Sequence, residues 1–540
     1  MIGDEVTDDG GVKTFIAKIR AFEDMHLREF LFICVESTGT SEKLQEAVEE
    51  AFVKDIVKFT GLMRDDALTI FKEKLKGTGS DRASKMLKFA KLIGAENAFA
   101  QYNCDNHITE SAWSKVEDTV PQVKSSQGMV SKAFTMQSNS ANRKMKMKQK
   151  ADEWKRKFVS LTNVLDIKFA TYNLEASLSF MIDYPVVAAV LMQLINDSSV
   201  KPKRRADFAA LLKQMADMRN IVNINALVNV LEFVADYQLW GQRMKASAFE
   251  RKYAREKLQV EMKKLEDVQT CYKNLEKYFD FLDLRKKVFK KSGIVISHSE
   301  DITFMELANR VMKRQMFIAK TFLTAKNKLH AEEDPKFLDG LSDVFDVRNW
   351  NISMMKQDDG GAFDSGVDEM MMKLKENSEF FDDLNLNDVL QEFQTVMHSI
   401  RATGLGYEIL VSASKEDHII DQWTLIKNES PMLHQKIQEL WFRLVKRASG
   451  APNAQTEVER SNSVLALFKN ELSATMKIPM MRSRLRIKEN GPSISIFNPG
   501  TVRRQWISEG HKYAQKVSER DLVIERIRKP DEEYNSKIFQ

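Results

Sequence analysis

Apolar residues are spaced in two different ways along the chain, and the change falls near residue 108. Before it, short apolar runs typical of strands occur at Phe30–Val35, Ile56–Met63 and Phe99–Cys104. Helical spacing of apolar residues occupies Ser41–Val53 and Arg82–Ile93. The first hundred residues are therefore predicted to alternate strands and helices.

From about residue 110 to residue 400 nearly every segment has helical spacing. The longest stretch is Asn223–Leu284, whose charged face is typical of a solvated helix in an all-α bundle. Breaks are predicted at Gly360–Gly361 and at Gly404–Gly406, and helical spacing resumes over Lys415–Met476. The chain is therefore predicted to be mixed α/β but predominantly α.

The composition fits a folded globular protein. Of the 540 residues, 43% are hydrophobic and 29% are charged, which excludes wholesale disorder. The net charge of +5 is too small on this length to indicate nucleic-acid binding by itself. Three cysteines cannot build a disulfide framework or a four-cysteine zinc site, and they fit a reducing compartment.

Two stretches bear on targeting. Residues 1–12 are acidic and polar, so we expect a loose start and no signal peptide, which would need a basic and then an apolar region. The most apolar stretch, Leu178–Ile195, contains Asp183 and Pro185. We predict that it is a buried helix and that the protein has no membrane partner.

The most specific signal is an ordered series of residues near the C-terminus. It begins with Trp423, passes through Pro431 and Leu433, and continues with Glu459–Ser463. It closes with the run LRIKENGP at Leu485–Pro492. This segment, at about residues 418–492, resembles the C-terminal dimerisation region of the hAT superfamily of transposases.

The hAT resemblance implies self-association as a homodimer or higher oligomer. The residues that it implies for dimerisation are Trp423, Leu433, Leu440, Arg460, Leu465, Phe468 and Leu472. Several of them fall on one helical stripe, a pattern that by itself is more often ordinary core. Asn462 stands where the family has an aromatic residue.

The same resemblance implies that Glu459 is the family's catalytic glutamate. The sequence from Thr456 to Glu459 also matches a helix capping box, T-x-x-E, and the two roles do not exclude each other. If the protein is active, Glu459 would hold Mg²⁺ or Mn²⁺ together with an aspartate. If it is inactive, no cofactor is expected.

The stretch Ser80–His107 is similar to a second hAT region, in which an aspartate ends a strand of an RNase H-like sheet. The resemblance implies that Asp81 is this metal-binding aspartate and that His107 lies near the active site. A helix N-cap is the alternative role for Asp81. Asp66, after the predicted strand Ile56–Met63, is the alternative aspartate.

Cys104 and His107 have the spacing of half a zinc site, but no second pair stands at zinc spacing, which favours a buried structural pair. The resemblance leaves the first catalytic aspartate without a counterpart. The residues upstream of Phe30 lack the family's DxWt pattern, and nothing around Asp24 supports it. The family's N-terminal zinc finger is also missing. These absences imply a truncated or decayed copy without its opening strand.

Basic and aromatic positions are candidates for DNA contact. Lys157 and Phe158 begin a segment that resembles the family's RWnSl sequence, and Phe345–Trp350 resembles its fDPRn sequence. Three basic clusters are candidates for DNA-backbone contacts or nuclear-import signals, although each alone is more often solvated surface. The clusters are Lys144–Lys150, Lys201–Arg205 and Arg482–Lys488, the last including Arg484.

The resemblance implies an RNase H-like core interrupted by a large all-α insertion. The expected function is that of a domesticated or decayed hAT transposase-like protein in the nucleus, dimeric, with DNA binding and without transposition. The alternatives are an active metal-dependent DNA strand-transfer enzyme and a helical protein-interaction scaffold. The predicted regions are a poorly defined N-terminus (1–24), a partial core (25–125), the insertion (126–400), the dimerisation region (401–492) and a charged tail (493–540).

Overall fold

The computed structural model describes most of the chain up to residue 454 and five residues beyond it. The described residues are 1–7, 13–23, 25–36, 39–80, 84–94, 100–162, 170–297, 301–356, 360–430, 433, 438–454, 458, 461, 485, 488 and 490. The fold is 73% helix and 9% strand, so the predicted predominance of helix is confirmed.

A small mixed sheet is built from the N-terminal part of the chain. Its strands are β1 (Ile2–Thr7), β2 (Lys13–Glu23), β3 (His26–Glu36), β4 (Gly77–Ser80) and β5 (Ala100–Asn103). They lie in the order β3-β2-β1-β4-β5. β2 is antiparallel to both β1 and β3, whereas β4 is parallel to both β1 and β5.

Three helices accompany this sheet: α1 (Ser41–Thr60), α2 (Arg64–Lys74) and α3 (Ser84–Gly94). Apolar residues repeat at helical spacing along α1, and its buried Leu44 and Val48 share one core cluster with Phe15 of β2 and Phe89 of α3. The rings of Phe15 and Phe89 meet edge to face with centroids 5.5 Å apart. This cluster anchors α1 and α3 to the sheet.

Two predictions for this region are wrong. The predicted strand Ile56–Met63 is the end of α1 and the turn after it, because the helix continues to Gly61, which caps it at a φ of +71°. The predicted loose start contains β1, whose Ile2 is fully buried, so the opening strand is present. Residues 8–12 lie outside the described part.

A bundle of nine helices follows β5 in the described part of the chain. They are α4 (Asp105–Thr119), α5 (Pro121–Ser138), α6 (Ala141–Glu153), α7 (Ala170–Asn196), α8 (Pro202–Met215), α9 (Met218–Gly241), α10 (Arg251–Met262), α11 (Val268–Phe279) and α12 (Phe304–Glu333). A short hairpin, β6 (Leu282–Asp283) and β7 (Val288–Phe289), precedes α12. One large apolar core runs through all nine helices.

The prediction of one long helix over Asn223–Leu284 is wrong. That stretch is divided among α9, α10, α11 and the start of the hairpin, because Asp267 stops the helical path and caps α11 through the amides of Gln269 and Thr270. The longest described helix is α12, with 30 residues and a capping box between Thr303 and Glu306.

The apolar helix α7 is long and apolar enough, by composition, to cross a membrane, with a mean hydropathy of 1.8. However, 72% of its most apolar window is buried inside the protein, as in the core helix of a globular bundle. The predicted burial of Leu178–Ile195 is therefore confirmed, and no membrane association is indicated.

A second helical core follows the bundle. Its helices are α13 (Phe337–Phe345), α14 (Gly360–Glu376), α15 (Leu386–Ala402), α16 (Gly406–Ala413), α17 (Ile419–Glu429) and α18 (Glu439–Gly450). Tyr102 of β5 and Met25 beside β3 belong to the same apolar cluster, so this core is continuous with the sheet. The chain to Leu485 forms one compact unit, and a second unit begins at Arg486.

Candidate functional site

The carboxyl ends of β1, β4 and β5 lie at one edge of the sheet because these strands are parallel. Open α/β sheets place their ligands and functional groups at this edge. β1 carries Asp4, whose backbone pairs with Ile16 of β2. β4 ends at Ser80, and β5 ends at Asn103. Asp81 follows β4 directly in the sequence but lies outside the described residues.

The chain leaves β5 at this edge and enters α4. Cys104 is the buried N-cap residue of α4, and His107 is half-buried in its first turn. Among the described residues, no cluster of three or more His, Cys, Asp or Glu side chains has the arrangement of a metal site. The three cysteines Cys34, Cys104 and Cys271 are buried thiols.

A return segment, residues 451–454, brings the chain back to the sheet after the two helical cores. Its Pro452 lies against Gly79 of β4 so closely that a Cβ atom on Gly79 would come within 2.5 Å of the proline ring. The amide of Asp105 donates to the carbonyl of Asn453 at 2.9 Å. The return segment therefore fills the space beside β4 and the start of α4.

After this segment the structure describes only isolated residues. Val458 and Ser461 are helical and fully buried. Glu459 stands between them in the sequence and lies outside the described residues, so the predicted approach of Asp81 and Glu459 stays a prediction.

Arg251, at the start of α10, holds the return segment in place. Its guanidinium is almost fully buried and donates to the side-chain oxygen of Asn453 at 2.8 Å and to the carbonyl of Asn103 at 2.5 Å. Nη1 of the same guanidinium forms an ion pair with Asp334, just after α12, at 2.7 Å. One side chain thus joins the end of β5, the end of α12 and residue 453.

Asp105 is the other centre of this buried network. One oxygen of its fully buried carboxylate lies 3.3 Å from Nζ of Lys326 and 3.1 Å from Nε2 of His330. The other oxygen has no hydrogen-bond partner among the described residues. Lys326 also donates to the hydroxyl of Thr109 at 2.5 Å and lies over the ring of Tyr237, 4.1 Å from its centroid.

In this network, burial and the neighbouring opposite charges shift the pKa values of Asp105 and Lys326 in opposite directions. Burial alone would raise the pKa of Asp105, but Lys326, and after it His330 and Arg251, outweigh burial and hold the pKa of this carboxyl below its usual range. Burial lowers the pKa of Lys326 to about 8, and Asp105 opposes this shift. At neutral pH both groups are therefore charged, and each depends on the other for its charge.

The hydrogen bonds and ion pairs of this network hold the sheet edge, the helical bundle and the return segment together. Sequence reasoning missed it, although one signal was present. Phe322, Lys326 and His330 are four positions apart on α12, so two polar residues continue a buried apolar face. A polar residue on such a face needs buried partners, and those partners come from distant parts of the chain.

Other predicted site residues lie away from the sheet edge. Asp66 is exposed in the first turn of α2. Its basis as an alternative to Asp81 is lost, because the end of α1 and a turn stand where the strand before it was predicted. Lys157 is exposed, and Phe158 packs half-buried against the bundle core. Both follow α6 in a segment without regular secondary structure.

The described residues predicted for dimerisation pack inside one chain. Trp423 is fully buried, and its indole N–H donates to the carbonyl of Phe345 at 2.8 Å. Leu433 is buried, and Leu440 is half-buried against the same core. The remaining predicted residues lie outside the described part; they are Arg460, Leu465, Phe468 and Leu472, together with the DNA-contact candidates Arg482 and Arg484.

Two of the basic clusters lie next to each other. Lys144–Lys150 lies on α6, and Lys201–Arg205 lies at the start of α8. Burial, and after it the charge of Arg204, lowers the pKa of Arg143, which also lies over the ring of Phe208 at 5.5 Å. Because α6 and α8 both pack on α7, two clusters that are separate in the sequence come close together.

Comparison with known proteins adds no relative. No protein-family model matches the chain, and no curated protein matches it.

Proposed function

We propose that the protein is a hAT transposase-like DNA-binding protein that self-associates. The observation that carries this proposal is the sheet, with the strand order β3-β2-β1-β4-β5, β2 antiparallel to β1, and β4 parallel to β1. RNase H-like sheets have this order and these directions. The helical cores follow β5, and residues 451–454 return to the sheet, as a helical insertion requires.

The strand β1 offers a candidate for the first catalytic aspartate, which the sequence pattern alone left without a counterpart. Asp4 lies on β1, the central strand, and is followed by Glu5, Val6 and Thr7. These four residues keep the aspartate and the threonine of the family's DxWt pattern, with valine in the place of tryptophan. We therefore propose Asp4 as the counterpart of the first aspartate.

A second candidate function follows from Asp4, namely metal-dependent DNA strand transfer. Asp4, Asp81 and Glu459 would hold Mg²⁺ or Mn²⁺, because carboxylate oxygens suit these cations. The bound metals would stabilise the attacking and leaving oxygens of a phosphodiester. Asp4 lies on β1, and Asp81 follows β4, the parallel neighbour of β1, directly in the sequence, which suits such a shared site.

A nicking assay tests the second candidate. The full chain is incubated with DNA carrying hAT terminal inverted repeats and with Mn²⁺. An active enzyme should cut this DNA, and Asp4→Asn, Asp81→Asn and Glu459→Gln should each lower the rate at least about 100-fold, since all the metal ligands act together. The control Asp66→Asn, at an exposed position on α2, should cut like the wild type.

DNA binding without cutting would support the leading proposal and reject the second candidate. Binding to phosphates should weaken steeply as salt is raised, because each phosphate contact releases counterions. A chain that binds no DNA at about 50 mM salt, where such contacts are strong, would instead be a helical scaffold. The proposed nuclear location rests on the basic run KPKRR at Lys201–Arg205, which begins exposed at the start of α8.

A further inference from the structure

The hairpin of β6 and β7 carries a dense group of cations outside the three basic clusters described above. Its run LRKKVFKK, residues 284–291, holds five basic side chains. A four-residue loop, 284–287, joins the two strands. In this loop Arg285 and Lys286 are exposed, whereas Leu284 packs half-buried against the bundle core. The loop therefore presents charge, and not apolar surface, to solvent.

The segment after α6 lies beside the hairpin and adds further cations. Lys291 donates to the carbonyl of Trp154 at 2.9 Å, and its Nζ lies 5.8 Å from the centroid of the indole ring. Arg156 forms an ion pair at 3.0 Å with Asp280, which precedes the hairpin. These two contacts join residues 154–157 to the hairpin, although 124 positions separate Arg156 from Asp280 in the sequence.

Most cations of this surface have no carboxylate partner. Five of them are exposed and form no ion pair with another described residue; they are Lys155, Lys157, Arg285, Lys290 and Lys291. Lys290 and Lys291 donate to the main-chain carbonyls of Asp280 and Trp154, which carry no formal charge. The positive charges of all five therefore remain available to a ligand.

The described carboxylates of the same two segments do not balance these five cations. Four carboxylates already pair with other basic residues; the pairs are Asp280 with Arg156, Asp283 with Lys286, Glu153 with Lys150, and Asp301 with Lys287. The buried Asp183 interacts with the charge of Arg156, which is not one of the five. Asp152 is exposed and forms no ion pair among the described residues, so it offsets at most one of them.

Two lysines of this surface hold a backbone conformation that favours glycine. Lys155 has a φ of +54° and Lys287 a φ of +52°, and glycines are the other described residues with a positive φ. Lys155 directly follows the end of α6, where the amide of Arg156 donates to the carbonyl of Ala151 at 2.9 Å. Glycine is the usual residue at such a helix end. A strained conformation kept at both lysines indicates a function for their side chains.

The surface continues onto α6. Nζ of Lys150, in the last turn of that helix, lies 6.0 Å from the centroid of the Trp154 ring, which Lys291 approaches from the hairpin. Lys150 is the last residue of the basic cluster Lys144–Lys150. The cations therefore extend from the hairpin along α6. A row of charges of this kind suits an extended polyanion better than a single small anion.

We propose that this hairpin surface binds the phosphate backbone of duplex DNA, with the loop 284–287 and the two lysines Lys155 and Lys157 on the phosphates. The proposal rests on the proposed DNA-binding function and names the surface that carries it out. Phosphate contacts carry no base specificity, so the surface would hold DNA of any sequence. Duplex DNA is the preferred form, because Trp154 is half-buried and Phe289 is buried, and neither is exposed for stacking on an unpaired base.

Fluorescence anisotropy of the full chain with a labelled duplex of random sequence, over a salt series, tests this proposal. Arg285→Glu with Lys286→Glu should weaken binding at least about tenfold and lower the salt slope by about 1.8, since each duplex phosphate contact contributes about 0.9. The matched control is Lys375→Glu with Lys415→Glu, which makes the same charge change at exposed positions of the second helical region. This control should change binding less than about threefold.

Lys155→Gly with Lys287→Gly separates the role of the charge from folding. Glycine adopts the left-handed conformation without steric cost, so the temperature of thermal unfolding should stay the same or rise. Duplex binding should nevertheless weaken about fivefold or more, because two phosphate contacts are lost. Lys155→Arg with Lys287→Arg keeps both charges and should bind DNA like the wild type. A double-glycine variant that binds as tightly as the wild type would contradict the proposal.

The outcomes separate this proposal from the proposed function. If the wild type binds no DNA, both fail. If the wild type binds DNA but hairpin and control variants weaken it equally, the hairpin assignment fails and the DNA-binding function stands. If the hairpin variants keep DNA binding but lose binding to vesicles that contain phosphatidylserine, the surface binds an anionic membrane and the proposal is overturned.

Discussion

Asp105 and Lys326 show how single residues hold this fold together. Both are buried, and Nζ of Lys326 lies 3.3 Å from the carboxylate of Asp105. Lys326→Met removes one partner and leaves a buried carboxylate, so we expect a loss of about 3 kcal/mol in the free energy of unfolding. Asp105→Asn combined with Lys326→Met removes both charges and should cost less than the sum of the single changes. Urea unfolding measures this; additive losses would contradict the coupling.

Asp183 in α7 should give the protein a pH-dependent stability. Burial raises the pKa of Asp183 to about 7, although the amide of Val159 donates to its carboxylate at 3.2 Å. This group therefore stabilises the fold fully below the pKa of an unfolded aspartate, about 3.9. The stability is lost as pH rises through about 7.

Asp183→Asn should remove this loss. We expect the free energy of unfolding to rise by at least about 1 kcal/mol at pH 8, roughly the free energy of one pKa unit. The gain at pH 5 should be smaller, because there the wild-type carboxyl already carries its proton in the folded state. Asp118→Asn, at an exposed position of α4, is the control and should show no such difference between the two pH values.

At the scale of elements, β4 and the return segment fit tightly against each other. Gly79→Ala places a Cβ atom 2.5 Å from the ring of Pro452, so either the strand or the segment must move. Overpacking of this kind costs about 1–3 kcal/mol. Pro452→Ala should restore most of the loss. Gly128→Ala is the control, because its Cβ would meet no atom within 4 Å and should stabilise α5 by about 0.5–1 kcal/mol.

The wrong strand prediction shows where element patterns are ambiguous. The apolar run Ile56–Met63 is short enough to fit a strand or a helix segment. What decides it is the preceding helical face, Leu44 and Val48, which packs in the same cluster as Phe15 and carries the helix on to Gly61. Likewise, the sequence did not predict β1, because its residues are mostly polar. Pairing with β2, and not hydrophobicity of its own, makes this segment a strand.

At the scale of the whole molecule, we expect at least a dimer in light scattering of the full chain at micromolar concentration. Trp423 and Leu433 are buried in one chain, so the contact between chains must use other residues of the segment 418–492. Phe468→Asp should yield a folded monomer, since a buried charge at a dimer contact is costly. Met145→Asp changes an exposed apolar residue outside that segment and should stay dimeric. A monomeric wild type would contradict self-association.

Several features of this protein follow from the sequence by itself. The long helical region, the buried helix α7 and the strand at Phe30–Val35 were predicted because apolar periodicity reflects which face an element buries. The Gly404–Gly406 break was predicted because glycine permits the left-handed backbone seen at Gly404, with a φ of +72°. These are local properties, so one segment is enough to specify each of them.

The tertiary structure alone decided the placement of the polar groups. Asp105, Lys326 and Asn453 are separated by more than a hundred positions in the chain and meet only because the sheet, the bundle and the return segment pack together. A buried charge depends on what surrounds it, and those surroundings come from distant segments.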